Sequence, residues 1–122
     1  MADTAGYSAI SDLRPLREFV AARALALGLA APRADLLMLA VNELATNTLQ
    51  HTTGGGTVRV WADASGLWCD VVDQGAPRAF GRAMPPAEAI GGRGLAIVER
   101  ICDDVSVFTA AEGTVVRMRL DL

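Results

Sequence analysis

Ala40-Val41-Asn42-Glu43-Leu44-Ala45-Thr46-Asn47 is the stretch on which the reading of this chain turns. It closes an apolar-periodic run, Leu36, Leu37, Leu39, Ala40, Val41 and Leu44, whose spacing predicts a helix from about Pro32 to His51. Glu43 and Asn47 stand four residues apart and so share one helical face, one turn from each other. An amide oxygen there can ligate Mg²⁺, a hard cation that takes oxygen ligands. A carboxylate beside it can orient or deprotonate a nucleophile. The same pair also occurs on ordinary solvated helix faces, so the rest of the chain has to decide.

Two segments further on do so. Leu67-Trp68-Cys69-Asp70-Val71-Val72-Asp73 reads as a strand and runs into Gln74-Gly75-Ala76-Pro77. Asp73 therefore ends a strand just before a glycine turn, where its carboxylate can accept a hydrogen bond from an exocyclic amine such as that of adenine. Gly91-Gly92-Arg93-Gly94-Leu95 then opens a helix expected over Gly94 to Cys102, with Ile97, Val98 and Ile101 on its apolar side. A glycine turn at a helix N-terminus offers free backbone N–H groups and the positive end of the helix dipole, both suited to phosphate. Arg93 lies among those glycines and can pair with a γ-phosphate or face solvent. Taken singly, a D-x-G turn and a G-x-G before a helix are common. In this order after E-x-x-x-N they are specific.

The ordered set resembles the GHKL (Bergerat-fold) ATPases, and among them the anti-sigma-factor serine/threonine kinases and related small regulators of actinobacteria. The resemblance covers about residues 10 to 121. Ala40 to His51 is similar to the N box, Val72-Asp73-Gln74-Gly75 to the G1 box, Gly92-Arg93-Gly94-Leu95 to the G2 box, and Gly113-Thr114 to a closing G-T whose threonine lies near the adenine. It implies that Glu43 is the catalytic base and that Asn47 ligates Mg²⁺. Asp73 would read the adenine amine, with Gly75, Gly92, Arg93, Gly94 and Thr114 completing the nucleotide site. The implied cofactors are ATP and Mg²⁺. The implied activity is phosphorylation, on Ser or Thr, of an anti-anti-sigma antagonist by a protein that otherwise sequesters a sigma factor, and a homodimer is compatible with it. The resemblance also marks Arg17, on the first helix, as an arginine for partner contact.

Two departures keep a second function open. Many members continue the G1 box as D-x-G-x-G, whereas Ala76-Pro77 stands here in place of the second glycine. The segment 76–90 is short for a lid over the nucleotide and carries Pro77, Pro85 and Pro86, which stiffen it. A nucleotide-binding interaction module without transferase activity fits a lid of that kind. A histidine-kinase catalytic domain is disfavoured, because the chain leaves no room for a dimerisation helix carrying a phospho-accepting histidine.

Length and composition agree with a single domain over residues 10–122. Hydrophobic residues make up 52% and charged residues 20%, so a packed core is expected rather than disorder. A formal net charge of −3 argues against direct nucleic-acid binding. All 11 basic residues are arginine, which excludes a Walker-A lysine. Neither a signal peptide nor a bilayer-spanning stretch is apparent, so no membrane association and a cytoplasmic location are expected. Cys69 and Cys102 have no C-x-x-C spacing and are expected as buried free thiols.

The remaining path places a helix over Leu13–Leu29 with Ser11 or Asp12 as N-cap, a strand over Thr57–Ala62, a hairpin turn at Ser65-Gly66, and a closing hairpin of Asp104–Thr109 and Thr114–Leu120 around Glu112-Gly113. Residues 1–9 read as loose. Arg14, Arg17 and Arg23 read as a solvated helix face, and Trp61 and Trp68 as packing between neighbouring strands. The expected fold class is α+β: a two-layer sandwich of the Bergerat type, with a four-stranded, mostly antiparallel sheet and helices on one face.

Overall fold

The computed structural model describes residues 2–51, 54–73 and 92–122, and for His51 and residues 92–95 the backbone alone. The two long apolar periodicities become helices α1, Leu13–Ala26, and α2, Ala31–His51. α1 buries Leu13, Leu16, Val20 and Ala24, the i, i+3, i+4 stripe of a surface helix. It stops short of the expected Leu29. Gly28 takes φ +109°, and Leu29 donates back to the Ala24 carbonyl at 3.0 Å. That is a left-handed C-terminal cap, which glycine adopts without steric cost. At the other end Asp12 does not cap α1 with its side chain. Its carboxylate accepts from the backbone N–H groups of Ser8 at 2.8 Å and Ala9 at 3.0 Å, fastening a 3-10 turn over Ile10–Asp12 that leads into the helix.

Among the described residues the sheet has five strands where four were expected: β1 Asp3–Tyr7, β2 Gly56–Asp63, β3 Gly66–Asp73, β4 Asp104–Ala110 and β5 Gly113–Leu120. Their order is β1-β2-β3-β5-β4, with every neighbouring pair antiparallel. The residues read as loose form an edge strand, in register from Asp3 opposite Val60 to Tyr7 opposite Gly56. Asp-Thr-Ala-Gly carries little intrinsic strand preference, so tertiary pairing decides. Arg23 helps: its Nη2 meets Asp3 Oδ2 at 2.6 Å, tying α1 to β1 where a solvated arginine was expected. Both hairpin turns sit one residue earlier than expected. Ala64-Ser65 and Ala111-Glu112 form them, while Gly66 and Gly113 open the next strands.

Strand alternation separates two faces. Val58, Val60, Leu67, Cys69, Val71, Val116, Met118 and Leu120 join the helix residues in one buried cluster. Each fully buried Val or Leu contributes about 1.5–3 kcal/mol relative to exposure. Helix α3, Gly92–Ile101, adds Val98 to the same cluster. This is the expected α+β sandwich, with helices on one side of the sheet. The opposite face carries Arg59, Trp61, Trp68, Asp70 and Arg117. Trp61 and Trp68 pair across strands and stack with centroids 6.0 Å apart at 7°, as sheet packing. Cys69 and Cys102 are buried free thiols. Among the described residues no helix is long and apolar enough to cross a membrane.

Candidate functional site

α2 packs Leu37, Ala40, Val41, Leu44 and Ala45 inward. That burial leaves Glu43 and Asn47 half-buried on its flank, one turn apart as the spacing predicts. The residue before Glu43 is held from α1: Arg17 Nη1 donates to Asn42 Oδ1 at 2.9 Å. Arg17, which the family resemblance marks for partner contact, is thus half-buried and hydrogen-bonded within the chain. Sequence reading missed this link because Arg17 and Asn42 lie on different helices.

The second part of the site is a row across the helix-facing side of the sheet. Tyr7 on β1 stands opposite Gly56 on β2, Gly56 opposite Asp73 on β3, and Asp73 opposite Thr114 on β5. Asp73 is 9% exposed and Thr114 4%, and Thr48 of α2 is also buried. The Oγ1 of Thr114 is buried without a hydrogen-bond partner among the described residues. A buried hydroxyl left unsatisfied costs about 1–3 kcal/mol, a cost that a ligand group placed against it removes. A carboxylate acceptor beside an orphaned hydroxyl suits a ligand edge that presents an amine next to a ring nitrogen, as adenine does. The two residues were singled out from separate motifs; the β3–β5 pairing makes them neighbours. Tyr7 and Thr48 in this cluster were not anticipated, and the only signal at Tyr7 is an aromatic residue in an otherwise small and polar segment.

The third part is the start of α3. The helix begins at Gly92, so Gly92, Arg93 and Gly94 form its first turn rather than a loop ahead of it. Backbone N–H groups of a first helical turn have no partner within the helix, and they sit at the positive end of its dipole. The Arg93 side chain, the His51 side chain, Gly75 and the segment 76–90 expected as a lid lie outside the described residues.

The family model for the histidine kinase-like ATPase domain matches residues 8–120. No curated protein matches significantly. Among solved structures, the crystal structure of the RsbU and RsbW domains of Rv1364c from Mycobacterium tuberculosis aligns with a TM-score of 0.74 at 17% identity, covering 100% of this chain and 32% of that one. At that identity the likeness is one of fold, and this chain spans about a third of the protein it matches. The sandwich fold and a family match over nearly the whole length agree: the chain belongs to the histidine kinase-like ATPase domain family, a family of ATP-binding domains.

Proposed function

We propose that this protein is an ATP-binding anti-sigma factor with serine/threonine kinase activity, which phosphorylates an anti-anti-sigma antagonist and holds a sigma factor inactive. The observation that carries the nucleotide part is the buried Asp73–Thr114 pair with its unpartnered hydroxyl. The fold likeness to a chain containing an RsbW domain supports the regulatory part.

In this reading Asp73 accepts from the 6-amino group of adenine and Thr114 satisfies its hydroxyl on the same edge. The first turn of α3 receives phosphate oxygens, and Arg93 in that turn pairs with the γ-phosphate. Asn47 offers an amide oxygen to Mg²⁺, which would neutralise phosphate charge there. Glu43, one turn earlier, takes the proton of the antagonist's Ser or Thr hydroxyl as that oxygen bonds to the γ-phosphorus and the bond to the β–γ bridging oxygen breaks, releasing ADP.

Incubation with γ-labelled ATP, Mg²⁺ and a candidate antagonist tests this. The parent should transfer label. Glu43→Gln, which keeps the side-chain shape, should bind nucleotide about as well and transfer roughly 10²–10⁴-fold more slowly, the usual worth of a positioned base. Nucleotide binding without any transfer by the parent would replace the proposal with a non-catalytic nucleotide-binding interaction module, the function that Ala76-Pro77 and the short segment 76–90 favour.

A further inference from the structure

Strand β1 lies outside the family match, which begins at residue 8. Its last residue nevertheless reaches the nucleotide site. Tyr7 is 3% exposed, and its ring crosses β2 over Gly56. A Cβ at position 56 would stand 2.5 Å from the Tyr7 hydroxyl oxygen and 2.7 Å from Cζ, so only glycine leaves the ring its path. Beyond Gly56 the hydroxyl donates to the carbonyl of Val72 at 3.5 Å. That contact is long, but it sets the phenol against the peptide that carries Asp73. The hydroxyl is also hydrogen-bonded to Thr48, the residue after Asn47 on α2. Burial pushes the phenol up to about 12, and the nearby Asp73 carboxylate adds to the rise, while Thr48 opposes it. The phenol is therefore neutral at any physiological pH and able to donate.

We infer that Tyr7 is a positioning residue for Asp73: through its hydroxyl, strand β1 braces the end of β3 against α2 and so sets the carboxylate that reads the base. The inference rests on the proposed role of Asp73 toward adenine. A tyrosine that merely filled the core would affect every ligand alike. A tyrosine that aims Asp73 affects only ligands with an amine for that carboxylate to meet.

Calorimetry of the full chain with ATP and with purine riboside triphosphate, which lacks the 6-amino group, separates these roles. The parent should prefer ATP. In Tyr7→Phe, ATP affinity should fall about three- to tenfold, the worth of one modest hydrogen bond, while affinity for the analogue should change by less than about twofold. An equal loss for both ligands, or no loss for either, would overturn the role of Tyr7 while leaving that of Asp73 intact. A parent that binds both ligands alike would instead overturn the reading of Asp73, and the inference with it. Should Tyr7→Phe lose cooperative melting, Thr48→Val removes the hydroxyl's partner on α2 and is held to the same expectation.

Discussion

Arg117 grips Asp70 through two parallel hydrogen bonds, Nε to Oδ1 at 2.8 Å and Nη2 to Oδ2 at 2.9 Å. Arg59 adds a third, Nη2 to Oδ2 at 2.8 Å, and reaches Glu112 at 3.0 Å with its other nitrogen. The Arg117 guanidinium also lies 5.2 Å from the Trp61 ring centroid and 5.0 Å from that of Phe108. The three strands β2, β3 and β5 are thus fastened together on the face away from the helices. The carboxylate is fully buried, whereas both arginines keep access to water.

That asymmetry predicts unequal costs for breaking the clamp. Arg117→Met strands a buried carboxylate on one remaining arginine and should destabilise by about 3 kcal/mol. Asp70→Asn leaves two arginines that water can solvate and should cost less, about 1–2 kcal/mol. Urea denaturation of both variants checks the order. If Asp70→Asn proved the more damaging, desolvation of the carboxylate would not govern this face.

Alkaline pH should weaken the fold through three buried acids, Tyr7, Cys69 and Cys102, of which burial raises the Cys69 thiol as well. Burial pushes Tyr7 from 10.0 to about 12, and burial likewise pushes Cys102 from 9.0 to about 12. A folded-state pKa above the unfolded one means stability that is complete below the unfolded value and drains away as pH rises through the folded one. The unfolding free energy from urea titration should therefore fall between about pH 9 and pH 12, by up to about 1.4 kcal/mol per unit of separation for each group. Tyr7→Phe removes the phenol and should flatten the upper part of that decline. Superimposable curves for parent and variant would refute the contribution of Tyr7.

Asn47→Ala tests the metal ligand without disturbing the helix, since alanine is the best helix former. The variant should melt like the parent when no ligand is present. With nucleotide and Mg²⁺ at about a hundredfold excess over the parent's Kd, the parent should gain about 2.7 kcal/mol and Asn47→Ala most of that less. Identical ligand-induced shifts would remove Asn47 from the site.

The local periodicities carried far into the structure. The spacing of Leu37, Val41 and Leu44 gave α2, and with it the shared face of Glu43 and Asn47. Alternation gave β2, β3 and β5, and the expectation that Asp73 ends a strand. What stayed hidden depends on contacts between residues far apart in sequence. Asp3 to Tyr7 becomes a strand because the edge of β2 accepts it, not because its residues favour extension. Arg59, Asp70 and Arg117 meet only after β5 has paired with β3. The end of α1 differs for a local reason: Gly28, which the sequence marks as helping to end the helix, takes a left-handed turn that stops α1 at Ala26 rather than Leu29.

The position of β5 has a kinetic consequence. It is the last of the five strands to be synthesised, yet it lies inside the sheet between β3 and β4. During synthesis β1, β2 and β3 can assemble early, with β3 as an open edge whose Asp73 lacks its neighbour. β4 takes its place in the sheet through its hairpin partner β5. Only when residues 113–120 emerge can that hairpin pair with β3, a contact of high sequence separation. Maturation of the Asp73–Thr114 pair and completion of the sheet are then a single event. A nascent chain released at the Ala111-Glu112 turn would lack the seam of the protein, not its fringe.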